Sequence, residues 1–390
     1  MMRGASSVDD LCRTAAEKGF EFLALTDTNG FYGLIHFLEA ARKHKIRPIA
    51  GIHLKTDRRE AVFLAKSPRG YELLCEMVSR RHLERDFSVL RSLPEASGDV
   101  AMLSADAVLL QGLRSRVDCR VEVLPGSAGR RALQMARELG IPPVAANAVH
   151  FAHPDDYPLH RLLRAIELNR TLTTLPPTEV VQPGRWLKSP GEMAVHFPHA
   201  PEALGATVEL ARRCYTEWDH FRPVFPHYQD QAADHFALLL EECRRGIAWR
   251  YGEAGPTVEA RLSEELDLIR AKGYVDYFLV VADIVRRRPI HCGRGSGAAS
   301  LVSYLLGITH VDPIRHRLLF GRFLNPERKD PPDIDVDFPW DERDDLSDEL
   351  VRDYGVERLA FVSNHVGFAG RGAVREVAGS SEFRPRRSRK

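Results

Sequence analysis

Three carboxylates at a spacing of two residues are the clearest chemical signal in this chain. The stretch "DPPDIDVDF" places Asp333, Asp335 and Asp337 among strand-forming apolar residues. Side chains alternate between the two faces of a strand, so the three aspartates are predicted to share one face. Neighbouring members of the series, with Cα atoms about 6.6 Å apart, can converge on the same metal ions. The outer two, about 13 Å apart, cannot, so one aspartate has a different role.

A glycine-rich segment precedes the aspartates by roughly thirty residues. In "CGRGSGAASLVSYLLGIT", three glycines (Gly293, Gly295, Gly297) surround Arg294 and Ser296 directly before an apolar helical pattern. A glycine loop that enters a helix offers backbone N–H groups and the positive end of the helix dipole to an anion. Its spacing matches neither the Walker A loop nor the dinucleotide fingerprint. A simple turn is the alternative interpretation.

The order of these two features is that of a nucleotidyl-transfer site. In such sites two Mg²⁺ ions about 3.5–4 Å apart hold the attacking and leaving oxygens. Mg²⁺ is bound through one or two carboxylates and the substrate phosphates. Arg322, Arg328 and Lys329 lie between the loop and the aspartates and are cations of the kind that neutralise a triphosphate. The competing interpretation is a solvated edge strand with acidic side chains.

Composition limits the class of protein without identifying it. The 390 residues, 44% of them hydrophobic, are enough for two or three domains. A net charge of +1 means that any site for a polyanion has to be a local patch. The sequence has neither a membrane-length apolar run nor a signal-peptide core, so we expect a cytoplasmic protein that does not bind membranes. The six cysteines form no C-x-x-C pair, so reduced thiols are predicted and a zinc site is not.

The first 150 residues alternate between strand and helix patterns. The strand-like runs are "EFLALTD", "RPIAGIHL", "EAVFLAKS", "VAMLS", "AVLLQG", "RVEVLP" and "PPVAANAVHF". Repeated βα units predict a parallel sheet or an α/β barrel. Beyond residue 155 the patterns are mostly helical, and "GEAGPT" at residues 252–257 is the clearest break.

Several motifs carry a resemblance to one family. "GYVDYFLVVADIV", "CGRGSGAASLVSYLLGITHVDPI", "LLFGRFLNPER" and "PPDIDVDF" resemble the palm of bacterial C-family DNA polymerases, the DNA polymerase III alpha family. "LALTDTNGFYGLIHF", "RPIAGIHL" and "WLKSPGEMAVHFP" resemble the polymerase-and-histidinol-phosphatase (PHP) domain at the N-terminus of that family. The resemblance extends to about Ala378.

The resemblance implies an α/β fold with two principal parts. Residues 1–200 would form a PHP-type distorted α/β barrel that lacks its first strand, and residues 201–252 a helical connector. Residues 253–378 would form part of a nucleotidyltransferase-like α+β palm, and residues 379–390 a basic, disordered tail.

The resemblance also assigns roles to individual palm residues. Asp335 and Asp337 would be the catalytic pair that binds Mg²⁺, with Asp333 as an accessory. The incoming triphosphate would be held by Gly293, Arg294, Gly295, Ser296, Gly297, Arg322 and Arg328. A third catalytic aspartate, in a "D-F-L-G-L" segment of the family, has no counterpart here, so the two-metal site is expected to be incomplete.

The family's PHP metal site is degenerate in this chain. Of the aligned positions, Asp27 and His150 keep the family's residue types. Thr28, His53 and Ala148 stand where a histidine, a glutamate and an aspartate are usual, and the opening H-x-H strand is absent. No metal is therefore expected in this domain, and its predicted role is that of a scaffold.

By this resemblance the chain derives from a template-directed DNA polymerase of replication or translesion repair, truncated so that independent activity is in question. Its substrates would be primer-template DNA and deoxynucleoside triphosphates. Replisome subunits are partners of the intact family, whose clamp-binding region is absent here. Two alternatives stay open: a PHP-type metal-dependent phosphoesterase or 3′–5′ exonuclease, and a non-catalytic nucleotide- or DNA-binding remnant. The sequence does not separate the replicative from the error-prone branch.

Overall fold

The computed structural model contains two compact units. It describes residues 2–56, 59–93, 97–218, 224–228, 234–328, 331–362, 364 and 367–381. The first unit comprises residues 1–220 and 366–390, and the second comprises residues 221–365. Within the described ranges, no helix is both long enough and apolar enough to cross a bilayer. The domain limits at residues 200, 252 and 378 stay predictions, and residues 382–390 of the predicted tail lie outside the described ranges.

A curled, six-stranded mixed sheet organises the first unit. Its strands lie side by side in chain order: β1 (Phe22–Thr28), β2 (Arg47–Lys55), β3 (Glu60–Ala65), β4 (Ser97–Ser104), β5 (Val117–Val123) and β6 (Pro143–Ala145). The predicted α/β fold class is confirmed. A purely parallel sheet is wrong, because β3 runs antiparallel to both β2 and β4. Four residues separate β2 from β3, far too few for the crossover that a parallel pair needs.

Helices cover both faces of this sheet. They are α1 (Val8–Glu17), α2 (Leu34–His44), α3 (Pro68–Leu83), α4 (Val89–Ser92), α5 (Ala107–Leu113), α6 (Ser127–Leu139), α7 (Tyr157–Glu167), α8 (Pro190–His196) and α9 (Pro201–Arg213). The strand predicted at "AVLLQG" is wrong, because these residues form α5. The Asp106 side chain accepts the N–H groups of Val108 and Leu109 and so caps the helix start. Leu109, Leu110 and Leu113 then form its buried face.

The core of the first unit follows the register of the strands. Ile52, Phe63 and Met102 are paired across β2, β3 and β4 and are fully buried in one apolar cluster with the helices on that side. On the opposite face, Leu64 and Leu103 are buried in a second cluster that includes residues of α9. Burial on both faces explains why these strands read as continuous apolar runs.

The second unit is mostly helical around a short two-stranded sheet. Its elements are α10 (His235–Arg250), α11 (Pro256–Ala271), α12 (Val275–Arg286), β7 (Cys292–Arg294), α13 (Leu301–Leu305), β8 (Asp335–Asp337) and α14 (Arg343–Tyr354). Apolar residues of α10 to α13 form one core, against which Ile334, Val336 and Phe338 pack. The last helix, α15 (Gly370–Ser380), belongs to the first unit.

A buried carboxylate holds α13 in place. Glu265 of α11 is inaccessible to solvent and accepts the N–H groups of Leu301 (3.0 Å) and Val302 (3.1 Å). It also accepts the Ser300 hydroxyl (2.7 Å) and Nε of Arg261 (2.7 Å). Burial raises the pKa of Glu265, and these donors oppose that rise because they favour the carboxylate. The donors left unpaired at the start of a helix are thus satisfied by a residue from another element.

Replacing Glu265 should destabilise the second unit strongly. Glu265→Ala leaves Arg261 and two buried N–H groups without an acceptor, so we expect a loss of about 3–5 kcal/mol in the free energy of unfolding. Urea denaturation, combined with hydrogen exchange of the α11 and α13 amides, measures this loss. The neighbouring Glu264 is exposed, and Glu264→Ala should change stability by less than about 0.5 kcal/mol. Equal losses for the two variants would contradict the assigned role.

Candidate active site

The two candidate catalytic aspartates lie on β8, which pairs antiparallel with β7. Arg294 is opposite Asp335, and Cys292 is opposite Asp337. Opposed residues of an antiparallel pair share a face, as do residues two apart on one strand. Arg294, Asp335 and Asp337 therefore lie on the same face of this small sheet.

Arg294 lies between the two carboxylates. Its Nε is 3.0 Å from a carboxylate oxygen of Asp337, and its Nη1 is 3.4 Å from Oδ2 of Asp335. The hydrogen bond to Asp337 raises the pKa of Arg294, and the charge of Asp335 adds to this effect. The side chains are open to solvent, with exposed fractions of 39% for Asp335 and 60% for Asp337. Such exposed pairs contribute little to stability, so the arrangement is one that an incoming ion or phosphate can rearrange.

Asp333 does not belong to the strand. β8 begins at Asp335, so the prediction that all three aspartates lie on one strand face is wrong for Asp333. The reason is in the partner strand: β7 ends at Arg294, and Gly295 turns the chain away with a φ of +68°. The N–H of Ile334 is instead held by the Tyr277 hydroxyl at 3.0 Å. Burial raises the pKa of Tyr277, and the charges of Asp333 and Asp335 raise it further.

Two glycines of the loop are required by close approaches. A Cβ on Gly293 would lie 2.2 Å from the carbonyl oxygen of Ile308, too close for any side chain. A Cβ on Gly295 would lie 3.1 Å from Oδ2 of Asp335, and the positive φ is itself unfavourable for other residues. Gly297 has only ordinary contacts around it. The first two glycines therefore bring the backbone against the aspartates and the segment after α13.

The helix after the loop starts later than predicted. Residues 295–299 form a 3₁₀ turn, and α13 begins only at Leu301. The N–H groups of Leu301 and Val302 are already accepted by Glu265. Any phosphate contact of this segment would therefore have to come from the turn and from β7, not from the start of α13.

The other predicted cations differ in their surroundings. The Arg328 guanidinium donates to the backbone carbonyls of Phe323 (2.6 Å) and Pro331 (3.4 Å), which ties the segment before the aspartates together. Arg322 is exposed in a 3₁₀ turn, and among the described residues its side chain forms no ion pair with either aspartate. Ser296 is half-buried in the loop, and Lys329 lies outside the described ranges.

The first three residues of the degenerate PHP site, Asp27, Thr28 and His53, have different hydrogen-bond partners. Thr28 and His53 are opposite each other on β1 and β2, with Oγ1 of Thr28 3.4 Å from Nδ1 of His53. Oδ2 of Asp27 instead accepts the N–H of Gly33 at 2.7 Å, next to the start of α2. Asp27 therefore has a structural partner.

Ala148 and His150 lie in the segment after β6. Ala148 adopts a φ of +44°, and its carbonyl oxygen is 2.8 Å from Nδ1 of His150. Burial, with smaller contributions from the nearby His160, His53 and Arg185, lowers the pKa of His150 to about 4. The imidazole of His150 is thus neutral at pH 7.

Sequence reasoning missed two charged groups of this cluster. Burial raises the pKa of Glu122, at the end of β5, and the charges of His53 and Arg185 oppose that rise. Nη1 of Arg185 donates to the Asn147 carbonyl at 3.0 Å. Arg185 comes from the Pro-rich connector, whose sequence gives no sign that it supplies a positive charge here. Among the described residues, no group of three or more His, Cys, Asp or Glu side chains could hold a metal ion.

Comparison with known sequences defines the class of protein. Residues 237–388 match the bacterial DNA polymerase III alpha NTPase domain, and residues 1–111 match the PHP domain. The chain belongs to the bacterial DNA polymerase III alpha family, which confirms the resemblance seen in its motifs.

Individual relatives come from both branches of the family. The chain is 32% identical to DNA polymerase III subunit alpha of Bacillus subtilis, over 97% of the chain and 37% of the relative. It is 33% identical to the error-prone DNA polymerase of Symbiobacterium thermophilum, over 97% of the chain and 40% of the relative. It is 35% identical to the error-prone DNA polymerase of Methylococcus capsulatus, over 99% of the chain and 39% of the relative. The chain thus spans about two fifths of the length of these curated relatives.

Gly295→Ala should disturb the aspartate site locally. The new methyl group meets Oδ2 of Asp335, and alanine has to adopt the left-handed backbone of this position, which costs about 1–2 kcal/mol. Thermal unfolding and Mn²⁺ titration measure the loss of stability and of ion binding. Gly321 has open space around it, so Gly321→Ala is the matched control and should change neither quantity. Normal stability and ion binding in Gly295→Ala would show that the close approach is unimportant.

His150 should make the first unit less stable in acid. Its pKa falls from 6.5 to about 4 on folding, so the unfolded chain binds the proton first. The stability present above pH 6.5 is therefore lost progressively as the pH falls towards 4. Urea denaturation across this range should show a shallower pH dependence for His150→Gln. His36→Gln, at a side chain that is 79% exposed, should behave like the unaltered protein. Identical pH slopes for His150→Gln and the unaltered protein would contradict the assignment.

Proposed function

We propose that this chain is the PHP-and-palm portion of a DNA-directed DNA polymerase that adds deoxynucleoside monophosphates to a primer 3′ end. The observation that carries the proposal is the placement of Asp335 and Asp337 on one face of β8, with Arg294 between them. This pair lies in the segment that matches the DNA polymerase III alpha domain. Its proposed substrates are primer-template DNA and deoxynucleoside triphosphates, and its proposed protein partners are replisome subunits.

The two aspartates fit Mg²⁺. They present hard oxygen ligands on one solvent-facing surface, and Mg²⁺ is commonly held by one or two carboxylates together with substrate phosphates and water. Bound there, Mg²⁺ would supply charge neutralisation for the reacting oxygens. Two carboxylates suffice for one ion, and a second ion of the two-metal scheme would need a further ligand. Asp333, outside the strand, keeps the accessory role.

Arg294 changes partners in this proposal. Without substrate its guanidinium neutralises two neighbouring carboxylates. When those carboxylates bind a cation, the guanidinium is released to form a bidentate contact with a phosphate. Gly293, Gly295 and Gly297 allow the backbone to approach that phosphate, and Ser296 and Arg322 are the additional proposed contacts. Arg328 acts indirectly, through the carbonyls of Phe323 and Pro331 that it holds.

The N-terminal domain acts as a scaffold in this proposal. Arg185 provides positive charge near Glu122 and His53, where a metal would otherwise provide it. A metal-dependent phosphoesterase is the weaker candidate, because Asp27 has a structural partner and the cluster contains a cation of its own.

Primer extension with aspartate variants tests the proposal. We expect Mg²⁺-dependent extension that falls at least about 100-fold in Asp335→Asn and Asp337→Asn, since each removes a charge at the reacting centre. Asp341 is exposed and lies four residues beyond the end of β8, so Asp341→Asn is the matched control and should retain full activity. If extension is undetectable in the unaltered chain, Mg²⁺-dependent triphosphate binding measured by calorimetry should still be lost in Asp335→Asn. Activity or binding that is insensitive to these substitutions, or the absence of both, overturns the proposal.

A further inference from the structure

His291 makes an unusual pair of contacts immediately before β7. Its Nδ1 lies 2.8 Å from the carbonyl oxygen of Arg288, and its Nε2 lies 2.8 Å from the carbonyl oxygen of Gly307. Arg288 follows the end of α12, and Gly307 follows the end of α13. The imidazole thus joins two helix ends at the residue from which β7 begins.

Both partners of this ring can only accept hydrogen bonds. A neutral imidazole has one N–H, so one of its nitrogens would face a carbonyl oxygen with a lone pair. The imidazolium has an N–H on each nitrogen and satisfies both carbonyls.

The neighbouring histidine has the opposite environment. The ring centroids of His291 and His310 are 5.0 Å apart, and Nη2 of Arg250 lies 3.4 Å from Nδ1 of His310. Arginine can only donate, so Nδ1 of His310 is an acceptor and that ring is neutral. Burial lowers the pKa of His310, and the nearby His291 and Arg250 lower it further. A neutral His310 ring thus lies beside a His291 ring whose two hydrogen-bond partners are both acceptors.

Other charged groups around His291 are largely paired. The ring lines a cavity of about 640 Å³ together with Arg245 and Glu242 of α10, and Arg286 of α12. Glu242 forms ion pairs with both of these arginines. The Arg288 guanidinium is paired with Glu349 of α14 at 2.8 Å. From the β8 side, the ring nearest to His291 is the apolar Phe338, at 6.1 Å.

We propose that His291, held as an imidazolium, is a positioning residue for the aspartate site. It anchors the first residue of β7 to α12 and α13, and β7 carries Arg294 at the position opposite Asp335. When the ring loses a proton, one of its two hydrogen bonds is lost and the start of β7 is held at a single point. The link to nucleotidyl transfer rests on the proposed function, whereas the protonation state does not.

Nitrogen NMR of the histidine rings tests the protonation state directly. We expect both ring nitrogens of His291 to be protonated at pH 6.5 in the full chain, and His310 to carry one proton; His291→Gln and His310→Gln assign the signals. A single N–H on His291 at that pH overturns the proposal, whatever the activity of the chain.

The positioning role has its own readout. In His291→Gln, the amides of Gly293 and Arg294 should exchange about tenfold faster, which corresponds to the loss of one hydrogen bond. The pH dependence of Mg²⁺-dependent extension above neutrality should change as well. The exposed His316 provides the control, because His316→Gln should change neither quantity. Unchanged exchange in a folded His291→Gln variant overturns the positioning role, whereas the absence of both extension and Mg²⁺-dependent triphosphate binding overturns only the proposed function.

Discussion

The guanidinium of Arg294 between two carboxylates is the interaction on which the candidate site depends. Asp335 and Asp337 are two residues apart on a short strand, so their charges repel. The positive charge of Arg294, on the opposite strand, offsets this repulsion. Because all three side chains are open to solvent, the bond is weak and can be exchanged. Two carboxylates held this close together favour the binding of a metal cation in place of the Arg294 guanidinium.

One buried carboxylate and two half-buried rings outside the aspartate pair hold the site in place. Glu265 holds the start of α13, and Tyr277 holds the residue before β8 by its backbone N–H. His291 joins the ends of α12 and α13 to the start of β7. A two-stranded sheet of three residues per strand has too few ladder hydrogen bonds to stand alone. Rigid placement of the aspartates therefore depends on these contacts and on the helical core beneath them.

Local patterns predicted most of the fold, and they failed where tertiary contacts decide. The apolar run "AVLLQG" fits a strand or a helix equally well, and the capping by Asp106 decides in favour of α5. Asp333 has the spacing of a strand residue, but the partner strand ends at Arg294, where Gly295 turns the chain away. The pairing of Glu265 with residues 35 to 37 positions away could not be predicted from sequence, nor could the approach of Arg185 to Glu122. In contrast, the spacing alone was enough to predict that Asp335 and Asp337 share a face, as they do on β8.

Anomalous diffraction from crystals of the full chain soaked with Mn²⁺ and a deoxynucleoside triphosphate is the most direct measurement of the central claim. The structure predicts an ion bound between the carboxylates of Asp335 and Asp337, with the Arg294 guanidinium moved from the carboxylates to a phosphate. The absence of an ion at β8, with Arg294 still bound to both aspartates, would contradict this prediction. An ion bound among the histidines of the first unit instead of at β8 would contradict it as well.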